Sequence, residues 1–384
     1  MMRKSEIEVR VCTNCVMDTT DPEITFDSEG VCNHCRNYYE HSAKNWKKGE
    51  EGLKDLQVIL NGIKEQNKDK PYDSILGLSG GVDSSYLALK LYEWGMRPLV
   101  VHVDAGWNSE LAVSNIEKII EYCKFDLYTN VINWEEVKSL QLSFLKSGIS
   151  NQDVPQDHVF FASLYKTAIK NNISVVFSGG NIATESIFPA AWHGDAMDLK
   201  NLKAIYKKYS GKKLKDYTTI NFFDYRFYFP FIKRFKTVRP LNYIDFNKTE
   251  AIKELEEKIG WRNYGRKHGE SVFTKFFQNY YLPYKFGYDK RKPHLSSLIV
   301  SGQMTRDEAI EALSKPLYSP VELEEDIAYF CKKLDLTKEV FQTLIDAEKH
   351  HYSDFPNNDQ LYKYLKFFQR LAEKILKKKI KIYS

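Results

Sequence analysis

The sequence predicts an α/β protein: a parallel sheet with helices on both faces, a small cysteine-rich segment in front of it and a helical region behind. Three observations predict it. Short apolar runs at 74–78, 98–104, 127–132 and 173–178 alternate with stretches whose apolar residues recur at helical spacing. A strand, a helix and a second buried strand at this spacing require a right-handed crossover, and so a parallel sheet. Two Cys-x-x-Cys pairs stand near the start, and from about Gln303 the pattern is helical, with a capping signal at Thr305-Arg306-Asp307-Glu308.

The chain of 384 residues is long enough for two domains, and 43% hydrophobic content is that of a well-cored globular protein. Its 56 basic and 51 acidic residues leave +5, too mild to argue nucleic-acid binding and compatible with an anionic substrate. No apolar run approaches the length of a membrane span, and the first residues lack a signal-peptide core. The expectation is a cytoplasmic protein without membrane insertion.

Cys12, Cys15, Cys32 and Cys35 form the two pairs. In a reducing compartment this spacing reads as a tetrahedral Zn²⁺ site, each pair offering two thiolates; redox-active or unliganded cysteines are the alternative. Residues 23–27, followed by Ser28-Glu29-Gly30, read as a strand and turn, which makes residues 1–50 a zinc ribbon. So small a segment depends on its metal for folding energy. Cys123 and Cys331 have no such partner and read as buried apolar residues. Residues 36–72 are polar and lysine-rich, with Leu53, Leu56, Ile59, Leu60 and Ile63 marking a helix within this connection.

The first strand runs into Ser79-Gly80-Gly81-Val82-Asp83-Ser84-Ser85, and a helical pattern follows to about Gly95. Strand, glycine turn and helix make a cradle for phosphate. Gly80 and Gly81 let the backbone approach an anion, the hydroxyls of Ser79, Ser84 and Ser85 add donors, and the helix N-terminus supplies partial positive charge. The lysine of a Walker A loop is missing, and Asp83 would repel phosphate unless a cation such as Mg²⁺ bridges the two. The loop therefore reads as gripping β- and γ-phosphates through Mg²⁺, with the α-phosphate open to attack.

Val103 and Asp104 end the second strand, on the side where open parallel sheets bind ligands. Trp107, just beyond, either touches a nucleoside or closes the core. Helices at 110–122 and 135–146 flank the third strand, and a polar loop at 150–158 precedes a helix at 159–170. Asp157 and His158 are either a helix N-cap and its neighbour or groups for substrate and general-base work. The fourth strand ends in Gly179-Gly180-Asn181, with Glu185 shortly after, a second glycine pair suited to the opposite wall of the same site. Residues 188–235 are irregular and aromatic: a lid or substrate insertion, a helical core extension, or an interface. Asn247-Lys248-Thr249-Glu250 reads as a capping box opening a helix at 251–259. Between Gly265 and His294, cations including Lys267, His268, Lys290 and Arg291 stand among aromatics. That mixture suits phosphate, carboxylate and ring recognition, RNA, or a merely solvated face.

The stretch 79–85 is the signature of the PP-loop ATP pyrophosphatases, and the chain resembles that superfamily, whose fold is the adenine nucleotide alpha hydrolase-like sheet. Within it the chain resembles the N-acetyl sugar amidotransferases of surface-polysaccharide and flagellin-sugar synthesis (the WbpG/PseA type). The resemblance rests on the ribbon, the glycine loop, Asp153-Val154-Pro155-Gln156-Asp157-His158, Ser178-Gly179-Gly180-Asn181, Arg239-Pro240-Leu241-Asn242-Tyr243, and the stretch from Lys267-His268 to Ser296-Ser297. The first two are shared across PP-loop families and the later segments discriminate. The domains implied are a ribbon at 1–50, a PP-loop domain at 51–260 with the aromatic insertion around 188–235, and a substrate-binding and helical region at 261–384.

The resemblance implies that an acetamido group of a free or nucleotide-linked sugar becomes an acetamidino group through an adenylated imidate, with AMP and pyrophosphate released. ATP, Mg²⁺ and Zn²⁺ are the implied cofactors. ATP would be held by Ser79, Gly80, Gly81, Val82, Asp83, Ser84, Ser85, Val103, Asp104, Gly179, Gly180 and Asn181. Catalysis falls to Ser79, Asp83, Asp157 and His158, with Mg²⁺ on Asp83, and substrate to Glu185, Lys267, His268, Lys290 and Arg291. The chain shows no glutaminase segment, so ammonia would come from a glutaminase subunit and a cyclase-like subunit related to imidazole glycerol phosphate synthase. A PP-loop tRNA-thiolating enzyme shares the ribbon and loop, but sulfur transfer wants a further cysteine pair, and +5 is a small footprint for RNA. A third reading, a zinc-ribbon binding module on an inactive ATPase fold, sits poorly with the intact loop and Asp83.

Overall fold

Five parallel strands form the sheet in the computed structural model, which describes residues 9–265 and 269–376: β1 (Ser74–Gly77), β2 (Pro98–Asp104), β3 (Leu127–Val131), β4 (Val175–Phe177) and β5 (Lys236–Val238). Their order is β3-β2-β1-β4-β5. The register sets Ile75 beside Leu99 on one flank and beside Val176 on the other. The chain thus winds from β1 outward through β2 to β3, crosses back, and continues through β4 to β5. Connections diverge between β1 and β4, and such a switch point leaves a crevice at the carboxyl ends of the two strands.

Alternate residues of each strand enter opposite layers, as a pleated strand demands. Ile75, Leu99, Val101, Val103 and Val176 join a core with the helices Trp134–Ser147, Val154–Lys170, Leu199–Ser210 and Pro320–Leu334. Leu76, Val100, Val175 and Phe177 join the opposite core with Gly49–Gln66, Val82–Glu93, Glu110–Cys123 and Lys248–Ile259. Helices on both faces of a parallel sheet are the architecture the apolar pattern predicted.

Several elements differ from expectation for local reasons. β5 is a strand by backbone pairing alone: its Lys236 and Thr237 are exposed, so no apolar run announced it. The segment expected to be irregular contains the helix Leu199–Ser210, capped by Asp198, whose Leu199, Leu202, Ile205 and Tyr206 are buried. The helix after the polar loop starts at Val154, with Pro155 in its first turn, where proline's missing N–H costs nothing. Asn247 does cap Lys248–Ile259, accepting from the amides of Thr249 and Glu250. The full capping box forms at Thr305 and Glu308. In the ribbon, the strand expected at 23–27 is reduced to a single bridge, Phe26 to Cys32.

The C-terminal helices are part of the main core. Phe330 is 1% exposed and stacks on Trp107 at 5.4 Å and Phe276 at 4.8 Å. Trp107 is thereby a core residue, the second of its two readings. Among the described residues no helix is long and apolar enough to cross a membrane. Phe330→Ala is expected to cost about 3–5 kcal/mol in urea unfolding, because it empties a ring-sized space that joins the sheet to the C-terminal helices.

Candidate active site

The glycine loop owes its shape to contacts behind it. Gly80 adopts φ +84°, which disfavours any side chain, and its carbonyl accepts from Trp261 Nε1 at 3.1 Å and from the Tyr264 hydroxyl at 2.9 Å. With that carbonyl turned inward, the helix Val82–Glu93 presents its N-terminus to the crevice, and no side chain caps it. The Ser79 hydroxyl accepts from the Gly81 amide at 3.3 Å and lies 3.2 Å from the Ser84 hydroxyl. Amides and hydroxyls at a helix N-terminus bind anions.

The second glycine pair forms the facing wall. A Cβ on Gly179 would stand 3.0 Å from both the carbonyl carbon and oxygen of Asp83, so glycine lets the loops meet this closely without displacing that backbone. Asn181, 5% exposed, donates to Asp83 Oδ1 at 3.3 Å and caps its own helical turn through the Thr184 amide at 2.9 Å. The crevice between the loops encloses about 360 Å³. Its walls are Ser79, Gly81, Val82, Asp83, Ser84, Gly179, Gly180 and Glu185 on the sheet side, and Lys248, Ile252, Asn263, Tyr264, Gly265 and Glu270 opposite. The second group escaped sequence reasoning. Glu270 and Gly265 lie in the cation-rich segment, but nothing local to Lys248 or Ile252 signals a site.

Three expected nucleotide contacts sit elsewhere. Ser85 is fully buried and its amide bonds to the Gly81 carbonyl, so it faces the core. Val103 is buried in the sheet. Asp104 turns its Oδ1 to the Gly106 amide at 2.8 Å and to Asn108 Nδ2 at 3.2 Å, closing a turn at the end of β2.

A second polar cluster lies where the helix Val154–Lys170 meets the C-terminal segment. Asp153 Oδ1 accepts from Thr274 Oγ1 at 3.1 Å, and burial together with the Asp157 charge pushes its pKa well above the usual carboxylate range. Burial likewise raises Asp157 to about 6, with the Lys290 charge pulling the other way. Lys290, 8% exposed, has its Nζ 2.8 Å from His193 Nε2, and His193 stacks on Phe188 at 4.1 Å. Burial, then the Lys290 charge, holds His193 well below its ordinary pKa; it is neutral and accepts from the lysine.

Two expected site residues are structural instead. His158 is fully buried, with Nδ1 2.9 Å from the Ala196 carbonyl and Nε2 accepting from the Ile220 amide at 3.3 Å. Both ring nitrogens are spent on backbone, and burial lowers its pKa, so it has no lone pair for a substrate. Arg291 grips Asp289 at 2.7 Å and donates to the carbonyls of Ala312, Leu313 and Lys315, closing the end of the helix Arg306–Ser314. Its fork is committed to that clamp. Lys267 and His268 lie outside the described residues.

Cys12, Cys15, Cys32 and Cys35 bring their four sulfurs within 4.8 Å of one another, all buried. Sulfur pairs stand at 3.7 Å (Cys15 and Cys32) and 4.0 Å (Cys12 and Cys35), against about 3.8 Å for the edge of a tetrahedral zinc–thiolate site. The amides of Asn14, Cys15 and Cys32 point at Cys12 Sγ at 3.2–3.4 Å, as they would toward a thiolate. Arg306 holds the carbonyls of Cys12 and Cys15, both at 3.1 Å, and fixes this knuckle against the C-terminal region. The donor set fits a metal ion held by four thiolates.

Residues 270–372 match the family model described as LPS biosynthesis protein WbpG-like, C-terminal domain, which bears out the resemblance to the WbpG type. No curated protein matches the chain in sequence. Among solved structures it is similar to NMN synthetase from Francisella tularensis, at 16% identity and TM-score 0.33 over 75% of this chain and 96% of that one. It is also similar to the U34-tRNA thiolase NcsA from Methanococcus maripaludis with its 4Fe-4S cluster, at 13% and 0.33 over 81% and 89%. An NH3-dependent NAD synthetase from Campylobacter jejuni matches at 14% and 0.29 over 42% and 73%. Likenesses of this size carry no argument about substrate.

Cys12→Ser is expected to lose the metal: the parent should hold about one zinc per chain by elemental mass spectrometry and the variant essentially none. Iron in its place would overturn the expectation of zinc. Asp157 gives a pH signature. Its folded pKa of about 6 exceeds the ordinary aspartate value of about 3.9, so the folded state binds the proton more tightly and stability falls as pH rises from about 4 through 6. Asp157→Asn should therefore unfold at higher urea than the parent at about pH 8 and match it near pH 4. A variant less stable at pH 8 would show that attraction to Lys290 outweighs burial.

Proposed function

We propose that the protein is an ATP-dependent amidotransferase that converts the acetamido group of a sugar, free or nucleotide-linked, to an acetamidino group in surface-polysaccharide or flagellin-sugar synthesis. The observation that carries this reading is the meeting of both glycine segments at the switch point, around a helix N-terminus that bears Asp83. The WbpG-like match over 270–372, with its description naming LPS biosynthesis, supports the sugar side.

The chemistry follows from what an amide lacks. Its oxygen is a very poor leaving group, so it first attacks the α-phosphorus of ATP, forming an O–P bond as the bond to pyrophosphate breaks. Ammonia then adds to the imidate carbon, a proton is lost, and AMP departs with the former amide oxygen. Ser79, Ser84 and the amides at the start of Val82–Glu93 would hold the pyrophosphate portion, and Asn181 would orient Asp83. Mg²⁺ on Asp83 would neutralise the leaving group's charge. Glu185, at the mouth of the crevice beside Gly180, would face the sugar, and Asp157, with a pKa near neutrality, would take the proton from the adding ammonia.

Ammonia would arrive from a glutaminase partner with a cyclase-like subunit related to imidazole glycerol phosphate synthase. Cys123 is buried, with its thiol pushed up to about 12, and Cys331 is raised by burial too. Neither has the setting of a glutaminase nucleophile.

The test is pyrophosphate release from Mg-ATP and ammonium, with N-acetylated sugars, their nucleotide-linked forms and bulk tRNA as competing substrates. The expected result is release with a sugar, plus a product lighter by the difference between O and NH. Asp83→Asn should reduce that release at least about 100-fold without unfolding the protein. Release with tRNA alone would transfer the reading to a thiolation-type enzyme, and parental rates in Asp83→Asn would remove the carboxylate from the metal role.

A further inference from the structure

The last described helix, Asp359–Leu376, carries an apolar face that nothing else in the described chain covers. Tyr362, Leu365 and Gln369 share one side and are half-buried. Turned away from them are Leu361, Tyr364, Phe367, Phe368 and Leu371, between 39% and 63% exposed. At 3.6 residues per turn these five recur along one stripe. Lys363, Lys366, Arg370 and Lys374 fall on the adjoining stripe, all exposed, against only Asp359 and Glu373 of opposite sign in the helix. Among the described residues none of these four cations enters an ion pair with a carboxylate. In the sequence Lys377, Lys378 and Lys379 come next.

A neighbouring element repeats the combination. The Arg226 guanidinium lies 4.5 Å from the centre of the Tyr362 ring, which joins this helix to the aromatic turn Asp224–Ile232. At the two ends of that turn Phe223, Phe231 and Ile232 are 65%, 47% and 69% exposed, followed by exposed Lys233 and Arg234. Exposed rings bordered by cations on two joined elements are the makeup of a surface that lies on a bilayer: rings enter the acyl boundary while lysine and arginine meet anionic headgroups. A second copy of the chain would bring the same cations face to face, so charge complementarity selects an anionic surface over self-association.

We propose that the helix Asp359–Leu376 docks in the plane of an anionic lipid surface, with its exposed rings in the acyl boundary and its flanking cations on the headgroups. The contact is peripheral, which is compatible with the absence of a spanning helix among the described residues. It would hold the crevice beside the membrane without adding to its chemistry, and it is independent of which substrate the crevice takes.

Full-length protein should be sedimented with phosphatidylcholine vesicles, with and without phosphatidylglycerol, across a salt series. The expected result is binding to the anionic vesicles only, weakening as salt rises. Phe367→Ser with Phe368→Ser should lower binding about tenfold or more, and Lys366→Gln with Arg370→Gln about fivefold per cation removed. Circular dichroism and pyrophosphate release check that the variants stay folded. Absence of binding to anionic vesicles, equal binding to neutral ones, or parental binding by the variants overturns the proposal. So does self-association of the parent that the phenylalanine variant abolishes, which would assign the face to a second copy.

Discussion

The constraint on which the crevice depends is the approach of two loops across the β1–β4 pair. Parallel register sets Leu76 beside Phe177, and the chains leaving those strands converge until Gly179 touches the backbone of Asp83 and Ser84. A side chain there would press on that backbone at 3.0–3.1 Å and force the loops apart by a few tenths of an ångström. Because the loops meet, Asn181 reaches the Asp83 carboxylate and Glu185 comes to the rim. Because the sheet's connections diverge at the same place, a crevice is left above them, walled on its far side by Lys248 and Ile252 of the helix Lys248–Ile259.

That arrangement is held from outside the sheet. Trp261 and Tyr264, beyond the helix Lys248–Ile259, fix the Gly80 carbonyl, and so set the direction in which the loop presents its amides. The C-terminal region does similar work on the other side. Phe330 stacks on Trp107 just past the end of β2, Thr274 holds Asp153, and Arg306 with Ser296 docks the cysteine knuckle. The ribbon also pairs Asp18 with Lys292. It rests on the segment 291–306, which follows Lys290, so a metal held by the knuckle would add folding energy next to that lysine.

The Asp153, Asp157, Lys290 and His193 cluster gathers titratable groups whose pKa values burial displaces. Burying carboxylates near one another is unfavourable unless cations and donors compensate, and here burial outweighs the pull of Lys290 and holds Asp157 up at about 6.

What the sequence by itself determined was local: four of the five strands, most of the helices, the glycine loop and the four-cysteine knuckle. Each rests on interactions a few residues apart, or on apolar periodicity that shows which face turns inward. β5 was illegible because a short, exposed Lys-Thr-Val strand exists only through pairing with β4. What the tertiary structure decided was the destination of each polar side chain. His158 spends both nitrogens on backbone from 196 and 220, Arg291 spends its fork on carbonyls at 312–315, and Lys248 and Glu270 arrive at the crevice from distant segments. A charged residue carries no local mark of whether it will meet a substrate or a carbonyl. That depends on which remote elements pack against it, and only the folded chain supplies them.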